Sequence, residues 1–243
     1  MLRVWQSPQF RPTMDIDMLG KTSNDETSIV SQISEILDVP VDPDGLNFDA
    51  SSIQSEHITE DANYHGIRVR FYGSLDSAKI KMQIDIGFGD IVHPKAEAFE
   101  LPVMLNFTPP RLLCYSRESA IAEKFEAMVT LGILNSRMKD FFDIWLLSRQ
   151  FDFDGRQLLQ AIQLTFAQRG TAIPENVVAF QKSFATEKQV QWAAFCRRIG
   201  LEYLPKNFSD IVSQVAYFLT PIIESTLSDQ PFEKSWKAAK KWH

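Results

Sequence analysis

The 243 residues, 44% hydrophobic and 23% charged, are enough for one large domain or two small ones and exclude a disordered, collagenous or disulfide-scaffold chain. The net charge of −6 argues weakly against a nucleic-acid partner, but it is uneven: from Asp15 to Asp61 twelve acids face one base, Lys21, for −11, and the remainder is +5. No apolar run approaches the ~18–20 residues of a membrane span, the first dozen residues lack a signal-peptide core, and two distant cysteines, Cys114 and Cys196, form neither a disulfide framework nor a zinc site, so a reducing cytoplasmic setting is expected.

The dozen N-terminal residues, with Leu2, Val4 and Trp5 apolar, carry no helix-start signal. Thr13-Met14-Asp15-Ile16-Asp17-Met18-Leu19 then alternates acid with apolar, the period-two pattern of a strand, and Gly20 ends it. Ser23 or Asn24 is the expected cap of a helix with Asp25 and Glu26 at its positive end. Ile29, Ile33, Ile36 and Leu37 give that helix its apolar stripe, and Pro40, Pro43 and Asp44-Gly45 break the chain. From Leu46 to Asp90 the pattern is β. Ile53–Ile58, Ile67–Tyr72 and Ile80–Ile86 read as strands, and Gly73-Ser74-Leu75-Asp76 is the expected turn of an antiparallel pair.

Pro94 to Pro110 is irregular and proline-punctuated. The domain boundary is placed there, which gives an α+β domain over 1–108 and an all-helical domain over 109–243. Ser116 is the expected N-cap of a helix with Glu118 in its first turn, and Ile121, Phe125, Met128 and Val129 line one face until Gly132. A second helix is expected over Ser136–Arg149. Others are expected near Gln157–Gln168, Asn176–Phe184, Lys188–Ile199, Ser209–Leu227 and Phe232–Trp242. The last carries Lys234, Lys237, Lys240 and Lys241 among aromatic residues, so it is either an RNA-phosphate contact or an ordinary solvated helix.

Asp15-Ile16-Asp17 is the sharpest local signal. Residues i and i+2 of a strand share a face. Two carboxylates side by side repel unless a cation joins them, and magnesium favours oxygen ligands. Asp85, in the apolar strand Ile84-Asp85-Ile86, is costly there without a partner. Should the two strands be neighbours, three acids meet on one sheet, enough to hold the two divalent ions of a phosphoryl-transfer site. The alternatives are an exposed polar face for the first pair and a strand-end acid for Asp85. In the helical half, Lys124 borders the apolar stripe of its helix, and Asp140 and Asp143 share a helix face beside Arg137 and Lys139. A lysine so placed can reach phosphates, and one acid can orient Lys124 or Arg137; ordinary surface pairs are the other reading.

Taken in order, five stretches resemble one family. They are Leu2-Arg3-Val4-Trp5, Arg11-Pro12-Thr13-Met14-Asp15-Ile16-Asp17, Ile84-Asp85-Ile86-Gly87, Ile121-Ala122-Glu123-Lys124-Phe125-Glu126-Ala127-Met128 and Arg137-Met138-Lys139-Asp140-Phe141-Phe142-Asp143-Ile144. The series looks like the AbiEii/AbiGii nucleotidyltransferase toxins of type IV toxin–antitoxin and phage-defence pairs, which belong to the DNA polymerase β-like nucleotidyltransferases. The resemblance covers roughly residues 1–150. It implies a small mixed sheet and a nucleotidyltransferase acting with magnesium on an NTP. Asp15, Asp17 and Asp85 would bind the metal, Lys124 would contact the triphosphate, and Asp140 would be the acid important for activity, with Arg137, Lys139 and Asp143 beside it. It also implies that a nucleotide passes to an acceptor, in some members the 3′ end of tRNA, and that the partner is a winged-helix antitoxin.

The family pattern includes a Gly-Gly or Gly-Ser pair a few residues before the Leu-Arg, and Met1 lies just downstream of that place. Such glycine turns let backbone N–H groups approach phosphates. A late start or a truncated copy would account for the difference. The chain as written is therefore expected to bind NTP weakly and transfer little. A rival reading follows, in which the protein is a non-enzymatic binding module for an antitoxin or another cytoplasmic protein. A third reading is an antibiotic-modifying type of small-molecule nucleotidyltransferase.

Overall fold

The computed structural model describes Trp5 and residues 15–59, 65–103 and 106–243. The described residues up to Asp90, Trp5 apart, make one compact unit; Trp5 and the residues from Ile91 onward make the other. Of the N-terminal motifs, Leu2-Arg3-Val4 and the Arg11–Met14 stretch lie outside the described residues.

The first unit runs β1 (Ile16–Gly20), α1 (Glu26–Leu37), β2 (Leu46–Thr59), β3 (His65–Leu75) and β4 (Ala78–Phe88). Its sheet has the order β1-β4-β3-β2; β1 runs parallel to β4 and the other neighbours are antiparallel. This is the small mixed sheet that the family resemblance implies. Alternation sorts the side chains. Ile67, Val69, Phe71, Ile84 and Ile86 bury on one face against Ile29 and Ile33 of α1, and the intervening polar residues take the other face. Asp25, not Ser23 or Asn24, caps α1: its carboxylate accepts the Ser28 N–H at 2.8 Å, and hydrogen bonds from the Ser28 hydroxyl and then from that N–H hold its pKa below the usual range.

The β3–β4 turn lies later than Gly73–Asp76. Leu75 pairs with Ala78, so Asp76 and Ser77 alone make the turn, with Asp76 at φ 51°. Gly73 belongs to the strand, where a Cβ would come within 3.0 Å of the Phe48 ring. That ring packs edge-on against Phe71 at 5.9 Å, and the close approach, not a bend, accounts for the glycine. β2 is longer than Ile53–Ile58 and bulged: pairing jumps from Asp49↔Tyr72 to Gln54↔Arg70. The Tyr72 N–H, deprived of a ladder partner there, donates to Ser52 Oγ at 2.8 Å.

The second unit has a ribbon of β5 (Glu97–Glu100) with β6 (Arg111–Cys114), then α2 (Arg117–Leu131) and α3 (Met138–Gln150). After them come β7 (Phe153–Asp154), α4 (Gly155–Gln168), α5 (Lys182–Glu187), α6 (Gln189–Ile199), α7 (Phe208–Leu227) and β8 (Ser235–Trp236). The unit is thus helical with two short ribbons added. Ser116 caps α2 as its sequence implies, accepting from Ser119 N–H at 3.1 Å, and Gly132 ends it at φ 48°. From Asp140 to Ser148 every residue of α3 is buried, which makes it the central helix. Trp5 is also buried here and donates from Nε1 to the Tyr115 carbonyl at 3.3 Å. Buried Glu126 of α2 accepts Thr130 Oγ1, Thr171 Oγ1 and Arg169 Nη1, which ties α2 to the end of α4.

Two helical expectations differ from the structure. Asn176–Phe184 is a short 3₁₀ turn, Val178–Phe180, followed by α5. Phe232–Trp242 is not a helix. β8 pairs with β7, and Ala239 has φ 56°. Trp236 Nε1 donates to the Ser148 carbonyl and Trp242 Nε1 to the Phe218 carbonyl, at 2.6 and 2.9 Å. The aromatic rings pack on Phe218 and Phe232, so burial of the indoles overrides helix propensity. Among the lysines there, Lys237 pairs with Asp152 at 2.8 Å.

Gly155 is the tight point of this ribbon. A Cβ there would overlap the Lys234 carbonyl and the Phe232 ring. Gly155→Ala is expected to destabilise the second unit by about 1–3 kcal/mol through overpacking, visible as a lower denaturation midpoint with α2 and α3 helicity intact. Among the described residues no helix is long and apolar enough to cross a membrane.

Candidate active site

The parallel register of β1 and β4 places Asp17 opposite Asp85, and Asp15 immediately precedes β1. The three carboxylates converge: one oxygen from each lies within 4.8 Å of the others. Asp17 is exposed, while Asp15 and Asp85 are half-buried. Three hard oxygen donors at that spacing suit a divalent cation such as magnesium, so the residues present fit a metal.

Arg68 of β3, opposite Asp85 in the ladder, is a site residue that the sequence reading missed. Its Nε and Nη2 donate to the two oxygens of Asp85 at 2.7 and 2.6 Å, a bidentate pair. Gln83 Nε2 adds a contact to Asp85 Oδ2 at 3.4 Å. The guanidinium thereby fixes the plane of the Asp85 carboxylate. Each carboxylate oxygen has two lone pairs, so the pair still leaves Asp85 able to bind a cation.

The second cluster lies in the helical unit and is described by itself. Lys124 of α2 reaches α3, with Nζ 3.4 Å from Asp140 Oδ1 and 3.1 Å from Asp143 Oδ2. Arg137 Nε lies 2.8 Å from Asp140 Oδ2. Asp140 is 0% exposed. A fully desolvated carboxylate is costly unless cations hold it, and here it has two. Fully buried Asn135 accepts the Arg137 N–H at 2.8 Å and so shapes the start of α3. The structure therefore brings together Lys124, Arg137, Asp140 and Asp143. Lys139 is exposed and makes no ion pair with another described residue.

The small mixed sheet presents three convergent carboxylates on its polar face, and a family model match over most of the chain sets the class, the nucleotidyltransferases. The model of the AbiEii family, described as the nucleotidyl transferase AbiEii toxin of type IV toxin–antitoxin systems, matches residues 1–214, and the chain belongs to that family. No curated protein matches it. Among solved structures it is similar to JHP933 from Helicobacter pylori, at 11% identity and TM-score 0.46, covering 94% of this chain and 84% of that one. It is also similar to a candidate nucleotidyltransferase from H. pylori, at 10% identity and TM-score 0.45, covering 96% and 88%. Membership makes the protein a nucleotidyltransferase and implies an NTP substrate and an antitoxin partner.

Proposed function

We propose that the protein is a magnesium-dependent toxin that transfers a nucleotide from an NTP to an acceptor hydroxyl in the cytoplasm, with the 3′ end of tRNA as the acceptor and a winged-helix antitoxin as the partner. The observation that carries this reading is the convergence of Asp15, Asp17 and Asp85 on one sheet face.

Asp15, Asp17 and Asp85 would hold the metal. When bound, the metal neutralises charge on the triphosphate and lowers the pKa of a coordinated hydroxyl. Asp85, its plane set by Arg68, would help to accept the proton of the attacking hydroxyl. Lys124 supplies positive charge to the nucleotide phosphates, and Asp140 and Asp143 orient its ammonium. Arg137 shares Asp140 with Lys124 and stays beside that carboxylate as a second cation once Lys124 engages phosphate. Lys139, exposed at the start of α3, would contact the nucleotide directly.

The test is incubation of the purified chain with each radiolabelled NTP and total tRNA, with magnesium or with EDTA. Label on tRNA only with magnesium is the expected result. Label that is equal in EDTA, or absent from tRNA with every NTP, would reject the reading.

A further inference from the structure

We propose that the notch beside the β2 bulge is a phosphate subsite for a polynucleotide acceptor, and that the strand approaches the acids along the polar face of β3 and β4. The inference rests on the nucleotidyl-transfer reading and adds to it the place where the acceptor is held.

The polar face of this sheet is graded in charge. Along β4 the same-face residues run Lys79, Lys81, Gln83, Asp85, and opposite them on β3 stand Ser74, Tyr72, Arg70 and Arg68. The side chains confirm one shared face: Arg68 grips Asp85, and Arg70 Nε donates to Gln83 at 3.1 Å. The metal-site acids, with Arg68 on Asp85, thus occupy one end, and Lys79 and Lys81 the other, where Asp49 of β2 stands opposite Tyr72. Lys81 is four residues from Asp85, about 13 Å at ~3.3 Å per residue. A triphosphate carried on the acids puts its charge at the acidic end. A polynucleotide acceptor does the reverse: its terminal hydroxyl is neutral, and its phosphates trail behind by a nucleotide or more. The gradient fits the second ligand.

The notch supplies the contact point. It is lined by Ser52, Gln54, Arg70, Phe71, Tyr72 and Lys81. The jump in β2 pairing opens it, and Ser52 holds its shape, accepting from Tyr72 N–H and donating to the Asp49 carbonyl at 2.6 Å. Arg70 is fixed by Glu56, 2.8 Å from Nη2, and by Gln83. Those partners use only part of its five N–H donors. Lys81 is exposed and makes no ion pair with another described residue. The acids nearby are engaged: Glu56 with Arg70 and Arg68, and Asp49 with Ser51. Tyr72, with Lys79 Nζ 3.8 Å from its ring centre, adds an aromatic edge of the sort that accompanies cations in single-strand sites.

The experiment measures binding, not transfer, so its outcome is separate from whether the enzyme is active. A fluorescein-labelled single-stranded RNA 12-mer is titrated with the full chain, with Lys81→Glu, with Arg70→Gln, with the two changes combined and with the control Lys206→Glu. Manganese binding by electron paramagnetic resonance and labelled NTP binding are followed in parallel. Each notch variant is expected to lower the RNA affinity, on the order of tenfold for the pair combined at ~0.1 M salt. The slope of log K against log salt should become shallower by ~0.7 for each phosphate that is no longer neutralised. Manganese and NTP binding should stay unchanged, as should RNA binding by Lys206→Glu. Unchanged RNA affinity in both notch variants, an equal weakening in the control, or a fall in NTP affinity in place of RNA affinity would each overturn the proposal. So would a parent chain that does not bind the 12-mer.

Discussion

Asp17→Ala, alone or with Asp15→Ala, is expected to lower magnesium-dependent nucleotide transfer on the order of 10³-fold or more while leaving the protein folded. The two halves of this expectation have separate causes. Asp17 projects from β1 on the face opposite the Ile29, Ile33, Ile67 and Ile84 cluster, so its truncation takes nothing from the core. It also relieves repulsion among three carboxylates that lie within 4.8 Å of each other. The denaturation midpoint should therefore change little. Manganese binding should vanish with the activity, because two remaining carboxylates, one of them engaged by Arg68, make a poor cage. A companion variant, Arg68→Lys, keeps the charge but loses the fork, so Asp85 is no longer held in plane. It should retain metal binding and lose a smaller part of the transfer rate. An Asp17→Ala chain that still binds manganese and transfers nucleotide at the parental rate would remove the acids from the mechanism.

Period two decides which residues share a face, so the pattern of charged residues on apolar strands was enough to single out the three acids; that their strands, β1 and β4, are neighbours in a mixed sheet came only from the family resemblance. The partner of Asp85 was not legible for a specific reason. A turn at Gly73–Asp76 pairs Arg68 with Lys81, whereas the turn at Asp76-Ser77 pairs it with Asp85. A two-residue error in a turn leaves every residue on its correct face and still exchanges every cross-strand neighbour. Glycine was the misleading signal, because Gly73 answers to the Phe48 ring and not to a bend. The β2 bulge was hidden for a similar reason: between Asp49 and Gln54 stand Ala50, Ser51, Ser52 and Ile53, whose spacing carries no apolar period. In the helical half, spacing showed that Asp140 and Asp143 share a face. It did not show that the face is interior, since an i,i+3 acid pair on a helix is usually solvated. The burial follows from packing of α2, α6 and α7 around α3, which no local pattern states. The C-terminal ribbon was misread because Lys and Ala favour a helix, and only the tertiary acceptors at Ser148 and Phe218 explain why Trp236 and Trp242 do otherwise.

Asp140→Ala should be the most damaging single change to the fold of the helical unit. The carboxylate is 0% exposed and sits between Lys124 Nζ and Arg137 Nε. Removing it takes from Lys124 and Arg137 the carboxylate they share; water reaches both cations and Lys124 keeps Asp143, so the loss is about 3 kcal/mol, the low end for a broken buried pair. For a chain of this size that is a fall in denaturation midpoint on the order of 10 °C. Lys124→Met separates structure from function. Methionine keeps the apolar stem packed, and Arg137 continues to neutralise Asp140, so the midpoint should fall much less. Transfer should nevertheless be lost, because the cation proposed for the phosphates is gone. Calorimetry of the two variants beside the transfer assay decides the matter. If Lys124→Met keeps parental activity, the Lys124–Asp140–Asp143 cluster is a structural clasp between α2 and α3 and takes no part in binding nucleotide. If it unfolds as readily as Asp140→Ala, the ammonium is required for the packing itself, and the loss of transfer says nothing about phosphates.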